Sequence, residues 1–178
     1  MNELRFRRPA PGEAAAMAAL HVQCWRESLG DILPPDVIAG FDVTKMISAW
    51  EKRLADPTRI IHAACAGDNL VGFVIGGAAE PPGYGMDGNV AAIYVAAHWH
   101  RKGLGKALMG LIARDWQARG GRGLALEVIS ANARARRFYD AMGGQAVSTG
   151  TYVWDGHPLP VAVYHFGNLP ALAALAPA

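Results

Sequence analysis

The stretch from residue 89 to residue 129 constrains the fold of this 178-residue chain more than any other. A short β-branched and aromatic run, about Asn89–Val95, passes into a polar, glycine-containing loop, about His98 to Gly105. The loop opens directly into an amphipathic helix, about Gly103–Arg119, whose apolar face carries Leu104, Ala107, Leu108, Leu111, Ile112 and Trp116. Gly120-Gly121 stops the helix, and Gly123–Ile129 reads as a second strand. Strand, crossover helix and strand in that order predict two parallel neighbours joined by a right-handed connection. The loop also has a chemical consequence. The first turn of a helix leaves backbone N–H groups without intrahelical partners at the positive end of its dipole, which makes a seat for a phosphate or pyrophosphate. Arg101, Lys102 and Lys106 add formal positive charge around that seat.

Around this unit the periodicity predicts further elements. Leu4–Arg8 alternates as a short strand, and Pro11 opens a helix to about Ser28 with Met17, Leu20, His21, Cys24, Trp25 and Ser28 on its inward stripe. Leu33-Pro34-Pro35 breaks the chain. Asp42 caps a second helix carrying Met46, Ile47, Trp50 and Leu54, and Asp56-Pro57 ends it. Strands follow at about 59–66 and 70–78 around Gly67-Asp68-Asn69, then a loop over 80–88. Asn132–Met142 reads as a helix stopped by Gly143-Gly144. Residues 145–154 and 161–166 read as an antiparallel pair around Asp155-Gly156. The Ala/Pro-rich tail, 169–178, is expected to fray. No repeat or linker interrupts this order, so residues 1–178 are expected to form a single domain with its core over about 4–166. The class is α/β with α+β character, a mixed sheet with helices on its faces.

Composition narrows the function. With 52% hydrophobic and 18% charged residues the chain is not expected to be disordered. No run of about 18 apolar residues predicts a membrane span. Arg5, Arg7 and Arg8 precede an Ala-rich stretch, but Glu13 and His21 make that stretch an amphipathic helix rather than a secretory signal, and a cytoplasmic protein is expected. Cys24 and Cys65 read as buried thiols. A net charge of +2 is too weak a bias for a nucleic-acid partner. His21, His62, His98, His157 and His165 have no metal-ligand spacing, so no metal is expected.

Three phosphate-binding patterns compete for the loop. A dinucleotide fingerprint matches at Gly103 and Gly105 but fails at Leu108. A P-loop fails at Ala107, after Gly105-Lys106, and at His100. His100-x-x-Gly103-x-Gly105, following Ile93-Tyr94-Val95, resembles the acetyl-CoA motif of the GNAT superfamily of N-acetyltransferases. A second motif of that family is matched by Asn132-x-x-Ala135-x-x-Phe138-Tyr139 after Leu126-Glu127-Val128. The resemblance extends more loosely over residues 4–166, and the segment Cys24-Trp25-Arg26 is similar to members that modify small molecules.

The resemblance implies a mostly antiparallel sheet of six to seven strands, flanked by helices and splayed between two central parallel strands. It implies acetyl-CoA as acyl donor, its pantetheine arm lying between those strands and pairing with exposed backbone. Tyr94, Val95 and His100 would meet the cofactor, with Arg101, Lys102, Gly103, Leu104, Gly105 and Lys106 around the pyrophosphate. The Val95 N–H would polarise the thioester carbonyl. Asn132, Arg136 and Tyr139 share one helical face by spacing, and the resemblance gives Tyr139 the role of acid toward the departing thiolate. Phe138 and Met142 are expected to pack on the sheet.

Two positions depart from the family pattern. His100 stands where Gln or Arg is usual, and Asn89 stands where many members carry a Glu. An Asn accepts no proton at neutral pH. The base is therefore a water chain, or Glu80, Asp87 or Glu127, or is dispensable because the amine arrives partly neutral; the alternatives stay open, with Glu80 and Asp87 as candidates. The acceptor, a small-molecule amine or an exposed amino group, is expected near His21, Trp25, Arg26 and Asn89, beside the loop 80–88. Neither cysteine has a nucleophile context, which implies direct transfer. The competing reading is a degenerate module that binds acyl-CoA without transfer. A monomer or a homodimer fits equally.

Overall fold

Alternating segments of the chain become seven strands: β1 (Leu4–Arg7), β2 (Ile60–Ala66), β3 (Asn69–Ala78), β4 (Gly88–Val95), β5 (Leu124–Ile129), β6 (Gln145–Trp154) and β7 (His157–Phe166). Among the described residues six α-helices accompany them: α1 (Ala14–Leu29), α2 (Pro35–Gly40), α3 (Val43–Ala55), α4 (Leu104–Ala118), α5 (Ala133–Ala141) and α6 (Leu169–Ala173). The coordinates are a computed structural model that describes residues 4–80 and 83–177. The strands form one sheet in the order β1-β2-β3-β4-β5-β7-β6. Among the described strands only β4 and β5 run parallel, as the intervening helix requires.

The sheet has a core on each face. On one face α1 and α3 pack Met17, Cys24, Trp50 and Leu54 against Ile61, Phe73 and Ile75. On the other, Leu104, Leu108, Met109 and Ile112 of α4 meet Val74, Val90, Leu124 and Leu126. Leu108, Met109 and Ile112 are fully buried, each worth roughly 1.5–3 kcal/mol of transfer free energy.

Between β4 and β5 the ladder has two rungs, Gly88↔Leu124 and Asn89↔Ala125, and then stops. Opposite β3, Ala92 pairs with Ile75 and Val90 with Gly76, so Ala91 is an extra residue, a β-bulge. A bulge bends its strand and increases local twist. β5 meanwhile stays paired to β7 from Leu124 to Ile129. The two strands follow different neighbours and a wedge opens between them. The expected splay, which an unbroken ladder would have excluded, is present.

Three local readings need correction. Pro35 does not merely break the chain; it is the first residue of α2, where a missing N–H costs nothing. β7 begins at His157, four residues before the expected start at Val161. Pro158 and Pro160 are tolerated because β5 pairs with β7 only from Val161 onward, and the Pro160 carbonyl points to that side, toward the Ser130 N–H. The tail expected to fray instead forms α6 over Leu169–Ala173. Asn168 caps it by accepting from the Ala171 N–H at 3.2 Å, and Leu169 and Leu172 are buried against α4. Gly110 makes room for the segment that follows: a Cβ there would stand 2.2 Å from the Ala176 nitrogen. No described helix is long and apolar enough to cross a membrane.

Candidate active site

The wedge exposes backbone. The Ala96 N–H donates to the Val71 carbonyl at 2.9 Å, so that residue faces β3. By alternation Val95 and Ile93 turn their N–H and C=O groups away from β3, into the wedge. On the facing strand the Ser130 N–H donates to Pro160 of β7, which leaves Glu127 and Ile129 directed into the wedge. A cavity of about 1810 Å³ runs through it, from the glycine loop to α1 and α3. Described residues include no cluster of three or more His, Cys, Asp or Glu able to hold a metal ion.

At one end lies the loop. Arg101 and Gly103 both have left-handed φ, 61° and 85°, and turn the chain into α4. The N–H groups of Leu104, Gly105 and Lys106 belong to the first helical turn, which closes with the Ala107 N–H on the Gly103 carbonyl at 3.0 Å. Gly105 has a packing role: a Cβ there would lie 2.9 Å from Phe138 Cζ, so glycine lets α5 settle onto α4. The Leu104 side chain is core. Arg101 and Lys106 line the cavity. Lys102 does not; its ammonium sits 4.5 Å from the centre of the Trp99 ring.

His100 is turned inward. Its Nε2–H donates to the Val95 carbonyl at 2.7 Å, and Nδ1 accepts from Arg134 at 3.4 Å. The imidazole therefore ties down the end of β4. On α5, Asn132, Ala135, Phe138 and Tyr139 line the cavity. Asn132 also caps the helix, accepting from the Ala135 N–H at 3.1 Å. Arg136, expected on the same face, leans instead toward the Ser130 carbonyl at 3.5 Å, and Arg134 lines the cavity in its place. Tyr139 is buried against Phe138, Tyr164 and Phe166. Burial, with Tyr164 nearby, raises its pKa well above that of free tyrosine, so the phenol holds its proton.

The other end is aromatic. His21 sits edge-on to Phe41, Phe73 and Trp50, with ring centres 5.0–5.9 Å apart, and tilted against Tyr94 at 5.2 Å. Burial, reinforced by Arg53, lowers its pKa to about 3, so it is neutral. Trp25 stacks on Phe41 at 4.4 Å, and Trp154 lies 4.8 Å from Phe41. Tyr94 belongs to this end by its side chain. Arg26 is not part of the lining; it donates to the Phe41 carbonyl at 3.3 Å and supports that ring from behind. Asn89 lines the cavity at the last rung of the ladder. Cys24 is buried with its thiol pushed up to about 12, unsuited to nucleophilic attack.

The carboxylates separate by position. Glu80 lines the rim and is ion-paired to Arg59 at 2.6 Å. Asp87 does not line the cavity; it accepts from the N–H groups of Arg122 and Gly123 and from Trp116 Nε1. Burial opposes its charge, but those hydrogen bonds outweigh burial and hold the carboxyl below the usual range. Glu127 is exposed within the cavity and accepts from the Tyr84 hydroxyl, whose pKa rises to about 12 through that bond. Arg53, Tyr84, Arg134, Tyr152 and Trp154 also line the cavity and were not singled out in the sequence. For Arg53 a signal existed: it lies three residues after Trp50 on α3, beside the inward stripe.

The Acetyltransferase (GNAT) family model matches residues 15–143. An uncharacterized N-acetyltransferase of Bacillus subtilis, YuaI, is 25% identical over 159 residues, covering 89% of this chain and 90% of that one. Among solved structures, the PaiA N-acetyltransferase of Thermoplasma acidophilum in complex with coenzyme A superposes with a TM-score of 0.71 at 14% identity, over 90% of this chain and 98% of its own. YncA of Salmonella typhimurium, a putative acetyltransferase solved with acetyl-CoA, gives 0.67 at 16% identity, over 93% and 94%. These structural likenesses concern the fold.

Proposed function

The chain belongs to the acetyltransferase (GNAT) family, and from that premise we propose that it moves an acetyl group from acetyl-CoA directly to a primary amine. The observation that carries this reading is the two-rung ladder between β4 and β5. It leaves the N–H and C=O groups of Ile93 and the N–H of Val95, whose carbonyl is held by His100, available to a ligand that pairs like an added strand.

In this reading the N–H groups of Leu104, Gly105 and Lys106, with the Arg101 and Lys106 side chains, hold the pyrophosphate. The Val95 N–H stabilises the oxyanion as the amine nitrogen attacks the thioester carbon. The new C–N bond forms and the C–S bond breaks. Tyr139 gives its proton to the departing sulfur, and the proton lost by nitrogen passes through water to Glu127. Among the candidate bases Glu127 fits best, since Glu80 is ion-paired at the rim and Asp87 lies outside the cavity. His21, Trp25 and Asn89 contact the acceptor.

One observation favours a second reading. Asn89 cannot take a proton where many relatives carry a carboxylate, as a module that binds acyl-CoA without transfer would show. Calorimetry with acetyl-CoA, beside a thiol-release assay over a panel of amines, separates the readings. Transfer predicts both binding and amine-dependent release. Binding with no release across the panel supports the sensor, and absence of binding to acetyl-CoA defeats both.

A further inference from the structure

Four buried polar side-chain atoms that lack a hydrogen-bond partner among the described residues belong to residues lining the cavity: His21 Nδ1, Arg53 Nη1, Asn89 Oδ1 and Trp154 Nε1. Buried polar groups are rarely left unpaired, because each loses its interaction with water without a replacement. The four atoms are closed off from solvent in the wall of one cavity, so a ligand would reach them only by displacing a neighbouring atom, and their chemistry describes the ligand that would satisfy them. Asn89 Oδ1 is an acceptor and calls for an N–H. Arg53 Nη1 is a charged donor and calls for an oxygen, best an anionic one.

Arg53 differs from the other cations of the cavity. Arg101, Lys106 and Arg134 sit at the glycine loop or beside it, where the pyrophosphate is expected. Arg53 projects from α3 at the aromatic end, near His21 and Tyr152, whose pKa values it lowers or holds down. Its guanidinium lies over the Trp50 ring at 5.2 Å, and its Nη1 has no hydrogen-bond partner among the described residues. Nearby carboxylates are already committed: Arg59 holds Asp56 at 3.5 Å and Glu80 at 2.6 Å, and Lys45 faces Asp155 at 4.0 Å. No described carboxylate pairs with Arg53. A partly buried guanidinium in the cavity wall, with no carboxylate partner among the described residues, has the geometry to take a planar carboxylate by two parallel hydrogen bonds.

Resting on the acetyl-transfer reading above, we propose that the acceptor is a small primary amine that also carries a carboxylate, bound by Arg53 while Asn89 receives the amine. The surrounding Trp25, Phe41 and Trp154 rings accept an apolar body between the two ends. An acceptor with two cationic ends would leave Arg53 facing like charge, so polyamines are disfavoured.

The test compares amino acids with their amides as acceptors for the full chain, at saturating acetyl-CoA, by thiol release. The acids should exceed their amides at least about tenfold in kcat/KM, as loss of a charge-assisted hydrogen bond implies. Arg53→Met keeps the aliphatic stem on Trp50 and removes the fork; it should raise KM for the acid about tenfold or more without moving KM for the amide. Arg53→Lys, which keeps charge but not the fork, should fall between. Melting curves and calorimetric affinity for acetyl-CoA should match wild type. Equal use of acid and amide, an Arg53→Met effect of the same size on both, or acetyl-CoA binding with no release for any carboxylated amine would overturn the inference while leaving the cofactor reading standing. Failure to bind acetyl-CoA would instead overturn the reading beneath it.

Discussion

Replacing Tyr139 by phenylalanine isolates a single hydroxyl. The ring is 7% exposed and packs at 5.4–6.3 Å from Phe138, Tyr164 and Phe166. A phenylalanine keeps those contacts, so stability should change by less than about 1 kcal/mol. The chemistry should change more. Burial raises the phenol pKa, so the group is fully protonated at neutral pH and able to donate. General acid catalysis contributes about 10²–10⁴-fold, or roughly 2.7–5.5 kcal/mol of barrier at 1.36 kcal/mol per decade. Water entering through the open wedge can replace part of this, so the expected loss of kcat is at least about tenfold. Acetyl-CoA affinity should not move, because the proton transfer belongs to the transition state alone. The assay pairs steady-state thiol release with calorimetry on the same preparation. Wild type should also show no loss of kcat on the alkaline side up to pH about 10, since the raised pKa keeps the acid in place. A kcat within twofold of wild type for Tyr139→Phe would refute the assignment. An equal loss of acetyl-CoA affinity would make the hydroxyl a binding group instead.

Three further outcomes are expected. His100→Ala should lower kcat several-fold while leaving acetyl-CoA affinity within about threefold, because the ring holds the Val95 carbonyl at 2.7 Å and a 1 Å drift of a donor is costly in rate; a large loss of affinity with unchanged kcat would make His100 a phosphate ligand. Leu172→Ala should destabilise the protein by about 2–5 kcal/mol in urea unfolding, as for other buried leucines; a change under about 0.5 kcal/mol would mean that α6 is not docked in solution. Asp87→Asn should leave kcat near wild type and lower stability at neutral pH. The folded pKa of Asp87 is depressed, so its contribution is present above the unfolded value, near 4, and is lost as pH falls through the folded one; the gap between variant and wild type should close in acid, and a gap independent of pH would exclude this origin.

How much could be read from the sequence depends on where each determinant lies along the chain. The strand–loop–helix–strand unit is local: Gly103, the stripe of α4 and the double glycine at 120–121 sit within one continuous segment, and their spacing fixes the parallel pair. The splay of the parallel pair and the turn into α4 are legible for the same reason. Which side chains point into the cavity came through less well. Lys102 and Lys106 are both cations of the loop, yet one lies on Trp99 and the other lines the cavity, because the left-handed turn at Arg101 and Gly103 rotates them apart. Arg134 lines the cavity where Arg136 was expected because its long side chain reaches the His100 ring, while Arg136 turns to the Ser130 carbonyl. Asp87 looked chemically available, but the sheet register brings the Arg122 and Gly123 N–H groups to it. Arg53 and Trp154 are about 100 residues apart and meet only through the stacking of α3 against one end of the sheet.

The two departures from the family pattern, His100 and Asn89, acquire meaning only in this three-dimensional setting. Residue type alone marks His100 as a departure where Gln or Arg is usual and Asn89 as a missing base. In the structure both sit on β4 or at its end: His100 anchors the carbonyl of Val95, and Asn89 holds a buried oxygen without a hydrogen-bond partner among the described residues at the ladder's last rung. Between them lies the bulge at Ala91 that opens the wedge. On the proposed reading, neutral side chains at these two positions leave the charged roles to Arg101 and Lys106 toward the cofactor and to Glu127 and Arg53 toward the acceptor.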